Sequence, residues 1–429
     1  MGFTRAVSFL PTLVLAASVV AAQDLRLEPF EPTGIYARGA RVGWTVTSTA
    51  SDPPRRYAYV IRRNNLDVVA RGALDTAARA TIETRLDEPG MLFLELTPSF
   101  EGGKPVVAGA ASAPYEIQPS VPAPEDYDAF WASQLRALER IPMNPRLAPG
   151  ESDRPEVEYF TLRLDHVGGH NVHGQLARPR RAGRFPGLLI YQWASPPYPL
   201  QRSWVTDRAA EGWLALNVEP HDVLPTEPQA YYDALPRELK EYHAIGREDR
   251  EQSYFLRMYL GARRAVEYLA SRPDWDGRTL VATGTSMGGQ QALCAAALDA
   301  RVTAVVVHMP AGADTSGPLH GRASGYPFWP ADDPRAQRTA QYFDTVNCAA
   351  RVRAPALVSM GFVDTVCPPV GIFAAFNQLR GPREAVPLVD AAHNHQSTAE
   401  QQAAYTVRAA EWLSALAAGR PVPPPPTAH

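Results

Sequence analysis

Residues 279–298 constrain this chain more than any other segment. The apolar run over residues 279–283 has the length of a buried strand. Gly284, Thr285, Ser286, Met287, Gly288 and Gly289 follow at once, in the pattern G-x-S-x-G-G. Small and apolar residues over 290–298 then predict a helix. A strand that turns directly into a helix brings its own backbone into close approach. Gly284 and Gly288 suit that turn, because a Cβ at either place would clash where strand and helix nearly touch. Ser286 is then held on a sharp turn, its Oγ exposed at the mouth of a sheet.

The chain has 429 residues, enough for two or three domains. Its 45% hydrophobic and 20% charged residues describe a globular protein with a large core. A formal net charge of −3 argues against nucleic acid or an anionic membrane as the main partner. The N-terminus reads as an export signal. Arg5 supplies the positive end, residues 7–20 the apolar stretch, and Val20, Ala21 and Ala22 a small-residue cleavage site. Residues 1–22 are therefore expected to be removed, which gives a periplasmic or extracellular protein with no membrane span in the mature chain. Cys294, Cys348 and Cys367 are too few for a disulfide framework. One bridge would leave one thiol free, and Cys294 is read most simply as a small buried hydrophobe.

Residues 23–118 read as short strands separated by turn residues, at 41–47, 57–63, 78–84, 91–97 and 114–117. That spacing predicts a small immunoglobulin-like β-sandwich with Trp44 in its core. Its expected role is a spacer or packing partner, with glycan binding as the alternative. A proline-containing linker over 119–124 leads to a second unit, residues 119–418. There, strands at 157–164, 172–176, 187–191, 213–218, 279–283, 302–308, 356–360 and 385–389 alternate with helices, including 254–270 and 399–416. Such alternation predicts an α/β fold with a mostly parallel sheet covered on both faces. Residues 419–429 read as a proline-rich disordered tail.

A serine hydroxyl becomes a useful nucleophile only when a base takes its proton and an acid steadies that base. On an α/β-hydrolase fold these groups follow in the order Ser, Asp or Glu, His. Asp364 comes just after the strand at 356–360, where the acid belongs. Asp314, after the preceding strand, is its rival. His393 and His395 both follow the last strand, and spacing does not choose between them. His308 precedes Asp364 and reads as a supporting or core histidine. Two backbone N–H groups must stabilise the oxyanion. One is expected from Met287, the other from Trp193 or Ala194 after the strand at 187–191. Neither a metal nor a cofactor is needed.

Several further segments carry a resemblance. Tyr127 to Trp131 forms an opening helix signature. Tyr254, Phe255, Met258, Tyr259 and Leu260 precede Arg272, Pro273, Asp274, Trp275, Asp276 and Gly277 on the approach to the nucleophile strand. Leu298, Asp299, Arg301 and Val302 follow it. Val363, Asp364, Thr365, Val366, Cys367, Pro368 and Pro369 form an acid loop. Together these resemble the acetyl xylan esterase and cephalosporin C deacetylase family, carbohydrate esterase family seven, over residues 122–416. The resemblance implies deacetylation of acetylated sugars by a triad of Ser286, Asp364 and His395. His395 is favoured because the family's base precedes an acidic residue, and Gln396 is the nearer match. The chain departs from the family at Met287, where glutamine is usual. It also has Asn217, Val218, Glu219, Pro220, His221 and Asp222 in place of an R-G-Q-G motif. That second departure leaves open both a homo-oligomer and the substrate range.

The expected protein is thus a secreted serine esterase acting on acetylated carbohydrate. Tyr231, Tyr232 and Tyr242 are candidates to roof its pocket, or else ordinary packing residues. Tyr254 and Tyr259 read as helix core. The alternatives are another carboxylesterase or a peptidase on the same fold, or a non-catalytic secreted glycan-binding protein.

Overall fold

The computed structural model describes residues 25–48, 55–77 and 79–425. The export signal and its cleavage site lie outside these residues. The elbow strand Trp275–Thr285 sits inside a nine-stranded sheet among the described residues. From one edge, the strand order is Arg383–Leu388, Ala356–Gly361, Ala304–His308, Trp275–Thr285, Phe185–Tyr191, Leu214–Val218, Asn171–Pro179, Val157–Asp165 and Arg146–Gly150. The first six are parallel, and the last three join antiparallel.

The parallel strands are nearly continuous runs of Val, Leu and Ala because helices cover both of their faces. On one face, the helices Tyr254–Ser271, Met287–Leu298 and Pro369–Gln378 share a core with Leu189, Leu280, Val305 and Val358. On the other, Ser203–Ala210 and Ala403–Ala417 pack Val205, Ala209 and Trp412 against Leu188, Val281 and Leu357. A disulfide joins Cys294 of the helix Met287–Leu298 to Cys348 in the helix Thr345–Ala349. Cys294 is therefore one half of a bridge rather than simply a small apolar filler. Cys367 is free and buried.

Residues 25–112 form two sheets. One contains Leu25–Pro29, Arg41–Ser48 and Ala80–Arg85. The other contains Ile35–Tyr36, Val106–Ser112, Gly90–Pro98, Arg56–Arg63 and Asp67–Asp75. Val42, Trp44 and Ile82 of the first meet Ile61, Leu92 and Leu94 of the second in one core. Trp44 is fully buried, as expected. The strand expected at 114–117 is instead a short 3-10 helix, Pro114–Glu116. Proline has no N–H to give a ladder, and the carbonyls of Pro114 and Ile117 accept from Asn377 Nδ2 at 2.9 Å each.

These sheets are packed on the catalytic unit rather than held apart from it. Met91, Ala111 and Ile117 belong to the same core as Phe362, Val370 and Phe373. A Cβ on Gly109 would lie 2.5 Å from Cβ of Phe362, two residues before Asp364. The tail also departs from expectation. Arg408 donates to the carbonyls of Pro423 at 2.8 Å and Pro424 at 2.6 Å, so its described part is docked. Prolines lack N–H donors but keep their carbonyl acceptors, and one guanidinium reaches two of them.

Replacing Gly109 with valine should overpack this contact. The expected loss is about 1–3 kcal/mol in urea denaturation. An unchanged midpoint would mean that the sheets and the acid loop are not tightly joined.

Candidate active site

The turn after the elbow strand is set by three backbones in near contact. A Cβ on Gly284 would lie 2.3 Å from the Gly288 carbonyl carbon, and one on Gly288 would lie 2.2 Å from the Tyr191 carbonyl oxygen. Both are well inside any real Cβ contact, so only glycine fits. Ser286 between them has φ 56° and ψ −120°, a conformation that a serine adopts only when its surroundings impose it. The imposition is visible in hydrogen bonds. Ser286 N–H donates to the His308 carbonyl at 2.9 Å, while its own carbonyl accepts from Ala311 N–H at 3.0 Å and Gln290 N–H at 3.1 Å.

Asp364 follows the strand Ala356–Gly361 and is fully buried. Its Oδ1 accepts from the N–H groups of Val366 and Cys367, each at 2.8 Å. Its Oδ2 lies 2.7 Å from His393 Nδ1. A carboxylate only accepts, so Nδ1 carries the proton and Nε2 is left as the acceptor. His393 Nε2 lies 3.0 Å from Ser286 Oγ, which donates to it. The chain therefore brings together Ser286, His393 and Asp364.

His395, which the resemblance favoured, does not complete this line. Residues Asn394–Gln396 form a short 3-10 turn that sends the second ring aside. The His395 ring packs against that of His393 at 5.4 Å between centroids. Among the described residues it hydrogen-bonds neither Ser286 nor Asp364. Asp314 is placed elsewhere too. It accepts from Ser120 N–H at 2.8 Å and Ser120 Oγ at 2.7 Å and pairs with Arg322, tying the linker down. His308 lies below the turn. It donates through Nε2 to Gln402 Oε1 at 2.8 Å and accepts at Nδ1 from Ser359 Oγ at 2.6 Å. Donor atoms of Asp364, Cys367 and His393 lie within 4.8 Å of one another, which is the arrangement of an acid and base pair with a thiol behind it. Burial and the nearby Asp364 keep that thiol protonated by raising its pKa well above the usual value.

A cavity of about 490 Å³ opens over Ser286, lined by Trp193, Ala194, Met287, Tyr326, Val366, His393 and His395 among others. The backbones expected to supply oxyanion donors, Met287 and Ala194 or Trp193, thus border the space above the nucleophile. Tyr231, Tyr232 and Tyr242, candidates for its roof or else packing residues, do not line it. Tyr232 and Tyr242 are buried, and Tyr231 packs edge-on against Tyr232. Tyr326, which no motif marked, takes that position.

His221 is a second residue the motifs did not mark as functional. Its Nε2–H donates to the Ala194 carbonyl in a short hydrogen bond, and Tyr254 Oη donates to its Nδ1 at 2.6 Å. Burial holds its pKa down to about 4, so the ring stays neutral and keeps this single tautomer. Its neighbour Glu219 is 3% exposed, and burial pushes its carboxyl well above the usual carboxylate range. The only outward signal of either was the Asn217–Asp222 departure from the family pattern.

Burial also holds His166 and His308 down to about 4 from an ordinary 6.5. Between these values the unfolded chain binds more protons than the folded one, so stability rises with pH. The contribution is complete above pH 6.5 and is lost as pH falls toward about 4. Glu219, with its raised carboxyl, acts in the opposite sense, so the contribution is read as a difference: in urea denaturation from pH 7 to pH 4, His308→Gln should make the rise of stability with pH weaker by about one proton. An unaltered slope in His308→Gln would contradict it.

Known proteins resemble this chain in sequence and fold. The acetyl xylan esterase family profile matches residues 114–316 and 330–415. The acetyl esterase Axe7A of Xylanibacter ruminicola is 30% identical over 325 residues, which is 73% of each chain. An acetyl xylan esterase from a Paenibacillus species superimposes with a TM-score of 0.59 at 24% identity, covering 69% of this chain and 98% of its own. Acetyl xylan esterase 1 from a Thermoanaerobacterium species does so with a TM-score of 0.59 at 20% identity, covering 71% and 97%. At these identities the two structures speak to the fold alone, and the N-terminal sheets lie outside the family profile. The chain belongs to the acetyl xylan esterase family and is a carboxylic-ester hydrolase.

Proposed function

We propose that this protein removes acetyl groups from acetylated sugars or polysaccharides such as xylan, through an acyl-enzyme formed on Ser286. The observation that carries this reading is the 3.0 Å hydrogen bond from Ser286 Oγ to His393 Nε2, backed by Asp364 at 2.7 Å from Nδ1. His393 takes the Ser286 proton as Oγ attacks the acetyl carbonyl. Asp364 holds the ring's tautomer and stabilises the imidazolium. The N–H groups of Met287 and Ala194 receive the developing oxyanion, and His221 keeps the Ala194 peptide in place by its carbonyl. His393 then gives its proton to the departing sugar oxygen. Water repeats the cycle, releasing acetate and the free serine.

The same reading treats the protein as exported, with residues 1–22 as its signal. The Cys294–Cys348 bridge is consistent with an oxidising compartment. Among the described residues no helix is long and apolar enough to cross a membrane. The N-terminal sheets act as an immunoglobulin-like packing partner whose contact with Phe362 backs the acid loop.

Acetate release from acetylated xylan, alongside p-nitrophenyl acetate turnover, tests the assignment. Ser286→Ala and His393→Ala should each lower kcat by at least about 10³-fold. His395→Ala should cost no more than about tenfold, because it leaves both hydrogen bonds of His393 intact. A His395→Ala variant as inactive as His393→Ala, or an active Ser286→Ala, would overturn the reading.

A further inference from the structure

We propose that a cleft beside the catalytic cavity, walled by Trp193 and Trp204, binds the sugar next to the acetylated one in a glycan chain. This rests on the deacetylase reading above and adds to it the place where the neighbouring ring of such a chain binds. The cleft also holds about 490 Å³, within the range of small-ligand sites. Trp193 and Thr285 line both spaces, so the cleft and the catalytic cavity meet at one wall, one residue from the nucleophile.

The lining has the chemistry of a pyranose site. Trp193 is 40% exposed, unusual for so large a side chain. It is not loose, because Tyr198 stacks on it at 4.5 Å between centroids and 18° between planes, and Trp204 meets it edge-on at 5.8 Å. Tyr198 is itself fixed by donating to Gln192 Oε1 at 3.0 Å. A rigid indole loses little entropy when a sugar's apolar C–H face covers it. The helix Ser203–Ala210, which carries Trp204, and the turn after it add Asp207, Arg208 and Glu211 to the lining. Arg208 pairs with Glu211 at 2.8 Å, and Asp207 accepts from Arg154 at 2.6 Å. Groups held this way offer donors and acceptors to ring hydroxyls. With both signs of charge present, the lining suits a neutral polyol rather than an acyl chain or a strongly charged ligand. The ester to be cleaved sits on a sugar ring at Ser286, so the next ring must leave that cavity, and the cleft that shares Trp193 and Thr285 with it is an adjoining space.

The test compares acetylated xylo-oligosaccharides of three or more units with p-nitrophenyl acetate, which has no second ring. In Trp204→Ala the ratio of kcat/KM for the oligosaccharide to that for p-nitrophenyl acetate should fall about tenfold, carried by KM. Glu211→Gln, a surface change that does not threaten folding, should lower the ratio about threefold. Unacetylated xylo-oligosaccharide should quench tryptophan fluorescence of the wild-type protein, and Trp204→Ala should weaken that binding. A ratio within twofold of wild type in both variants, or loss of both activities in parallel, would overturn the subsite. If the wild type released no acetate from any acetylated sugar, the deacetylase reading would fail instead. Quenching by the unacetylated chain would then still decide whether the cleft binds it.

Discussion

The near contact of three backbones at Gly284, Gly288 and Tyr191 is the constraint on which the rest depends. With no side chain at either glycine, the strand can reverse into a helix within one residue. Ser286 is forced to positive φ, and its peptide groups are taken up by His308, Gln290 and Ala311. Strain at one residue is held by the hydrogen-bonded strands on each side of it, Phe185–Tyr191 and Ala304–His308. The hydroxyl is then aimed outward without any flexible element beneath it.

The groups that act on that hydroxyl come from loops, yet each loop is anchored to something rigid. The acid loop is closed on itself by two N–H donors to Asp364, and Phe362 within it is backed by the N-terminal sheet at Gly109. The loop carrying Ala194 is held from two sides. His221 takes its carbonyl, and Gln291 of the nucleophile helix donates to the Gln192 carbonyl at 2.8 Å. The helix Met287–Leu298 is in turn bridged through Cys294 to Cys348, at a sequence separation of 54. In the loop-entropy account such a closure contributes about 4 kcal/mol. Burial, a disulfide and a few directed hydrogen bonds thus fix the geometry that the proposed chemistry needs.

The sequence revealed these features unevenly, for physical reasons. The elbow was legible because close approach admits only glycine and leaves a mark in every residue around it. The order of Ser286 and Asp364 followed from the βα alternation. The choice between His393 and His395 was not legible, since a three-residue turn decides which ring lies beside Ser286, and the resemblance favoured the other ring. The strands Asp67–Asp75 and Arg146–Gly150 were missed because their residues are largely exposed and carry no alternating apolar pattern. Of the two readings of Tyr242, pocket roof or packing, burial favours packing, whereas Tyr326 reaches the pocket from a loop with no motif. His221 became visible only through its hydrogen bonds to Ala194 and Tyr254.

The most direct test of the central claim is covalent labelling with a serine-directed fluorophosphonate, read by peptide mass mapping. The account predicts a single adduct on Ser286, formed rapidly by the wild type and by His395→Ala, and slowed by orders of magnitude in His393→Ala. An adduct on another residue, or labelling that depends on His395 and not on His393, would contradict it.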